Sequence, residues 1–237
     1  MRPTAGLLIL LAATMHPPAS ATGVKPESTL ILISEANGQA QMGVLNTEAV
    51  PLLLVVKIID LPEDPSAPAV FAGPSTSRLE ANGHQVVRFM LTKRSATSGI
   101  QHMKRVSFEG LPGVNAAEPP RSGLALTIRQ EIPMVISPAG LKQDNEPWKL
   151  LVARGTGEST IEVTNPSPFV VRLASEVILL PSGVRTSISQ RNFILPGEKL
   201  QVRFDALAVP DTPAAMRLSP ASPWGYMVQP YDLPLTP

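Results

Sequence analysis

The chain has 237 residues, a formal net charge of +1 and no cysteine. Its lysines and arginines are scattered rather than clustered, which excludes a nucleic-acid or anionic-membrane footprint, and the missing thiols exclude disulfides, zinc–thiolate sites and cysteine nucleophiles. At 43% hydrophobic residues it can bury a core, and 26 prolines with 16 glycines favour short strands and turns over long helices.

Met1 to Ala21 has the form of a secretory signal: Arg2 as a positive start, an apolar run from Leu7 to Ala13, and Ala19-Ser20-Ala21 as a small-residue cleavage site. The mature chain is expected to begin at Thr22. The apolar run is far short of the ~20 residues that span a bilayer, so an exported protein without membrane insertion is expected.

Ser28 to Ile33 is apolar and β-branched and ends at the turn-prone Asn37-Gly38. Gln39 to Asn46 alternates, and Leu52 to Ile59 is a continuous apolar run suited to a central strand. Pro62 to Pro74 is expected to be a loop. Leu79 to Met90 is expected to be a turn and then a strand, and Lys104 to Phe108 a further strand closed by Leu111-Pro112-Gly113.

The stretch from Gly123 to Pro138 organises the rest. Leu124, Leu126 and Ile128 alternate with Ala125, Thr127 and Arg129, so an extended backbone carries three large apolar side chains on one face. Periodicity alone makes this an ordinary half-buried strand of an antiparallel sandwich. A strand offered to a partner is the sharper alternative.

Ala139 to Pro147 is polar and proline-bounded, a linker. Beyond it the same grammar repeats: strands are expected over Trp148–Ala153, Ser159–Thr164, Phe169–Leu173, Ser175–Leu180 and Leu200–Phe204, with turns at Asn165-Pro166, Pro181-Ser182-Gly183 and Pro196-Gly197. No segment has a convincing helical period. The expected fold is all-β: two β-sandwiches in tandem, residues 22–138 and 148–237, joined by the linker 139–147.

Catalytic patterns are missing from the sequence. His84 and His102 have no acid or nucleophile at motif spacing, and each is expected to be a solvated residue rather than a catalytic group or metal ligand. There is no nucleophile elbow, phosphate loop, dinucleotide fingerprint or His-Glu-x-x-His. Arg154-Gly155-Thr156-Gly157-Glu158 has two glycines but no following helix, so it is expected to be a hairpin turn. No enzymatic activity, cofactor or metal is expected.

Several separated stretches resemble one family. Gln39 to Asp60, Pro74 to Met90, the Phe108-Glu109-Gly110-Leu111-Pro112 ending, Ile132 to Pro138, Val163 to Phe169 and Leu195 to Glu198 follow, in order and spacing, the periplasmic pilus-assembly chaperones of the chaperone-usher pathway. The resemblance covers nearly the whole mature chain. It implies two immunoglobulin-like domains set at an angle, the first lending its last strand to a pilin or fimbrial subunit that lacks one, a known form of strand addition. It also implies a periplasmic location and delivery of the subunit to an outer-membrane usher. Free protein could instead cap its strand by self-association.

By this resemblance Leu124, Leu126 and Ile128 fall on the donor positions. Burying each contributes about 1.5–3 kcal/mol, roughly 5–9 kcal/mol together before ordering and association costs. The family's two cationic anchors for the subunit's terminal carboxylate fall on Leu30 and Pro133, which cannot form charge-assisted hydrogen bonds. The charged trio that links the domains falls on Gln101, Ser137 and Pro223. Arg88 and Arg129 are candidate substitute anchors, against the plainer account of each as a solvated strand arginine. The alternative function is an exported carbohydrate- or surface-ligand-binding module, for which Trp148 and Trp224 are the candidate contact residues.

Overall fold

A computed structural model of the chain describes residues 23–92, 99–112, 127–157, 159–209 and 212–236. In the first half the strands are β1 (Val24–Pro26), β2 (Ile31–Ser34), β3 (Gln39–Asn46), β4 (Leu52–Asp60), β5 (Val70–Gly73), β6 (Thr76–Leu79), β7 (His84–Leu91), β8 (His102–Pro112) and β9 (Arg129–Ser137). In the second half they are β10 (Val152–Gly157), β11 (Thr160–Thr164), β12 (Val171–Leu173), β13 (Glu176–Leu180), β14 (Arg185–Ser187), β15 (Phe193–Ile194), β16 (Lys199–Arg203), β17 (Ala215–Leu218), β18 (Pro220–Ala221) and β19 (Tyr231–Thr236).

Period-2 apolar patterning builds the first sandwich. A four-stranded sheet, β1-β3-β7-β5, faces a five-stranded sheet, β2-β9-β8-β4-β6. Alternate residues such as Leu52, Leu54 and Val56 on β4, Val87 and Phe89 on β7, and Ile132, Met134 and Ile136 on β9 meet in one core. Phe89 and Phe108 pack edge to face at 6.4 Å between ring centres. The second sandwich sets the sheet β14-β13-β17-β19-β10-β11-β16 against β15-β12-β18 and has its own core, including Ile161, Val163, Leu179, Val202 and Met216. This is the expected all-β pair of sandwiches.

Both sandwiches use the same corner device. Asn46, fully buried, donates Nδ2 to the carbonyls of Val50, Leu79 and Glu80 at 2.9–3.2 Å and accepts from Glu48 N at 2.9 Å. Asn165, also fully buried, donates to the carbonyls of Phe169, Ile194 and Leu195 at 2.8–3.2 Å and accepts from Ser167 N and Oγ. A carboxamide suits the site because it supplies two donors and an acceptor to backbone that has left the ladders.

The structure corrects several local expectations. Within the proline-rich loop, Val70–Gly73 forms β5, which pairs with the end of β7. The Trp148 segment begins as a 3₁₀ helix, Pro147–Leu150, and joins the sheet only from Val152. Gly155 and Gly157 lie on β10, where the register against β11 shifts between them. Strands β14, β17, β18 and β19, which no sequence pattern announced, complete the second sandwich.

Candidate functional site: a half-free strand edge beside an interdomain cleft

Strand β9 has one fully paired side and one half-paired side. Toward β8 it pairs antiparallel along all but its last residue, from Arg129 opposite Glu109 to Ile136 opposite His102. On the other side, β2 pairs with it in parallel, but only from Met134 to Ser137. The edge from Arg129 to Pro133 therefore has no neighbouring strand among the described residues. An open edge of this kind is a template for strand addition.

Ile128, directly before β9, is half-buried and belongs to the approach to that edge. Leu124 and Leu126 lie outside the described residues. Inside the strand, Ile132, Met134 and Ile136 point into the first core, while Val135 points the other way, into a cluster shared with the second sandwich. Pro133 marks the changeover: it stands opposite Arg105, one residue before the pairing with β2 begins.

The two sandwiches meet through Leu30, Leu61, Met103 and Val135 on one side and Val170, Phe193 and Leu195 on the other. Leu30, where the resemblance put the first family anchor, is thus buried in an apolar junction. At two of the positions where the resemblance puts a charged trio, Gln101 and Ser137, the link is neutral. Gln101 Nε2 donates to Ser137 Oγ at 2.9 Å, Gln101 Oε1 accepts from Val170 N at 2.9 Å, and Gln101 N donates to Pro168 O at 2.8 Å. Arg191 adds charge at a different place: it lies over the Phe193 ring and is ion-paired with Glu198 and, at 3.3 Å, with Glu63 of the first sandwich.

The candidate anchors lie apart. Arg88 is exposed on β7, opposite Gln41 and Gly73, in the sheet that does not contain β9. Arg129 opens β9 and faces Glu109 at 3.4 Å. The cleft holds two other arginines that the sequence did not single out. Arg105 and Pro133 line a cavity of about 330 Å³ together with Ser175 and Asn192 of the second sandwich. Arg172, on β12, lines a separate cavity of about 320 Å³ with Gln101, Ser137, Pro223 and Trp224.

Both histidines have acidic partners. His84 Nε2 lies 2.8 Å from Glu27 at the surface. His102 is buried, which corrects the expectation that it is solvated: its Nδ1 sits 3.0 Å from Asp64, whose other oxygen accepts from Met103 N at 2.9 Å. Burial pushes the Asp64 carboxyl up, but the hydrogen bonds from His102 and Met103 outweigh it and hold the pKa below the ordinary value. Among the described residues no group of three or more His, Asp or Glu could hold a metal ion, and no helix is long and apolar enough to cross a membrane. Trp148 is buried in the second core, leaving Trp224, half-exposed, as the accessible tryptophan.

Residues 23–142 match the family model described as pili and flagellar-assembly chaperone, PapD N-terminal domain. The chain is 35% identical over 208 residues to the uncharacterized fimbrial chaperone YhcA of Escherichia coli (strain K12), covering 87% of this chain and 88% of that protein. Its fold is similar to a chain in the complex of Salmonella enterica SafA pilin with the SafB chaperone, with a TM-score of 0.73 at 20% identity over 91% of this chain and 98% of that one. It is also similar to the Pseudomonas aeruginosa CupB2 chaperone, with a TM-score of 0.69 at 20% identity over 90% and 100% of the respective chains.

Proposed function

Since this chain belongs to the family of pili and flagellar-assembly chaperones, its function is that of a pilus-subunit chaperone, and we propose that it captures a pilin through the free edge of β9. The observation that carries this is the unequal pairing of one strand: closed by β2 from Met134 to Ser137, open from Arg129 to Pro133. A subunit lacking a strand exposes apolar surface and an unpaired edge, both of which aggregate. The donor face of Leu124, Leu126 and Ile128 fills the first while the backbone of β9 pairs with the second. Neither event needs a cofactor or a bond-making step.

The same proposal places the protein in the periplasm, with residues 1–21 as a cleaved signal, and has it hand the subunit to an outer-membrane usher. An exported protein beginning at Thr22 is the expected product, read by N-terminal sequencing.

Co-expression with its pilin tests the donor strand. Ile128→Asp or Leu126→Asp removes about 1.5–3 kcal/mol of burial, so the soluble complex recovered falls about ten- to a hundredfold while the chaperone itself still folds. Undiminished recovery with both variants would refute the donor role.

A further inference from the structure

Of the two cavities between the sandwiches, only one touches the open half of β9. The cavity of about 330 Å³ is lined by Glu131 and Pro133 of that edge. The cavity of about 320 Å³ is lined on β9 by Val135 and Ser137, in the half already closed by β2, and by no residue from Arg129 to Pro133. A strand seated on the open edge therefore leaves this second cavity free. Its volume is at the lower end of the range of roughly 300–1,000 Å³ found for small-molecule sites.

One cation in it has no counterpart. Nε and Nη1 of Arg172, on β12, are enclosed without a hydrogen-bond partner, and among the described residues this guanidinium makes no ion pair. Burial lowers its pKa from the ordinary arginine value. The polar groups beside it are already engaged: Gln101 donates to Ser137 Oγ, and Asp144 Oδ1 accepts from Glu146 N at 2.8 Å. The turn after β18 holds the guanidinium in place. Ser222 N donates to Tyr226 O at 2.7 Å and Gly225 N to Ser222 O at 2.9 Å. Gly225, at φ +92°, comes so near that a Cβ there would lie 3.3 Å from Arg172 Nη1. Isolated buried charge is costly, so a cavity that keeps one unpaired is suited to an incoming charge of opposite sign.

The remaining walls specify the rest of the ligand. Leu32, Phe169, Pro223 and the half-exposed Trp224 supply apolar and aromatic surface, which suits a flat ring. Asp144 lines the same cavity, so a second negative charge on the ligand would meet a carboxylate. We propose that this cavity binds a small aromatic monocarboxylate, its carboxylate on Arg172 and its ring against Trp224. A guanidinium offers planar donors to both carboxylate oxygens. The site is separate from the donor edge and does not depend on pilin capture. Because Leu32 and Ser137 belong to the first sandwich and Phe169 and Arg172 to the second, a bound ligand ties the two together, and the melting temperature rises with ligand concentration.

Calorimetric titration of the full protein with phenylacetate, its neutral counterpart phenylacetamide and inorganic sulfate tests this. The parent is expected to bind phenylacetate at least about tenfold more tightly than either of the others, and to melt higher in its presence. Arg172→Met is expected to bind phenylacetate no better than the amide. It should also melt no lower than the ligand-free parent, since it removes an unpaired buried charge, which separates lost binding from lost folding. Trp224→Ala should weaken phenylacetate and phenylacetamide alike, and Arg172→Met should still capture pilin. Equal binding of acid and amide by the parent, or no binding of phenylacetate at millimolar concentration, overturns the proposal without touching the donor edge. Sulfate binding as tightly as phenylacetate overturns it in favour of a bare anion site. Acid preference that survives Arg172→Met overturns the assignment to this guanidinium, and loss of pilin capture in that variant overturns the separation of the site from the donor edge.

Discussion

Asn165 makes three donor contacts to carbonyls and takes two donors onto one oxygen, with no exposure. Asn165→Ala leaves those carbonyls buried and unsatisfied, and the loss expected from urea unfolding is roughly 2–4 kcal/mol. A surface asparagine changed in the same way moves the midpoint little. Asp64 is tested by pH instead. Its carboxyl is held below the ordinary range, so the unfolded chain takes up the proton first as pH falls. Its stabilisation is complete above the unfolded value, about 3.9, and is lost as pH drops through the folded one. Melting temperatures from neutral pH downward should show Asp64→Asn well below the parent at pH 6 and converging with it at the acid end; parallel curves would remove Asp64 from the acid limb. Neither role was visible in the sequence. Asn165-Pro166 advertises a turn, but two of the three carbonyls that Asn165 binds, those of Ile194 and Leu195, come from a segment about thirty residues away, and His102 carries no local mark of its partner at position 64.

At the scale of elements, β9 is one uninterrupted run in sequence and two different objects in space. The alternation read from the sequence, Leu124, Leu126 and Ile128, lies just before β9, whereas β3 and β4 were legible almost to their ends, because alternation and apolar runs are local properties. Where the strand stops serving its own core and becomes available was not legible, since that boundary is set by β2, which lies some hundred positions earlier and pairs with only four residues of β9. β5 escaped notice for a related reason: four residues between prolines carry too little periodicity, and Phe71 there points outward. The two halves of β9 predict opposite phenotypes. Met134→Ala cuts a fully buried side chain from the first core and should lower stability by about 2–5 kcal/mol, read by denaturant unfolding, with capture lost in proportion to the unfolded fraction. Ile128→Asp should do the reverse, sparing the unfolding midpoint and losing the pilin. If Ile128→Asp unfolds the free protein as Met134→Ala does, residue 128 belongs to the core and not to the donor face.

For the whole molecule, the question is what fixes two independently cored sandwiches in one orientation. Each has its own apolar cluster. Their junction is a third cluster of seven residues, the Gln101 bridge, and the Glu63–Arg191 ion pair. Direct charge at the positions of Gln101 and Ser137 would pay desolvation on closing; the neutral bridge avoids this while its amide still satisfies Val170 N. Orientation matters because the open edge of β9 in the first sandwich borders a cavity whose other wall, Ser175 and Asn192, belongs to the second. Removing the polar link with Gln101→Ala and Arg191→Ala together leaves both cores intact. In calorimetry the double variant is therefore expected to resolve into two transitions, one per sandwich, where the parent gives one. In solution scattering it should show a broader distribution of shapes, and its affinity for pilin should fall although the donor residues are unchanged. A double variant that still unfolds in one transition and captures normally would show that the apolar cluster alone fixes the angle, leaving Gln101 no more than a satisfied polar group in the joint.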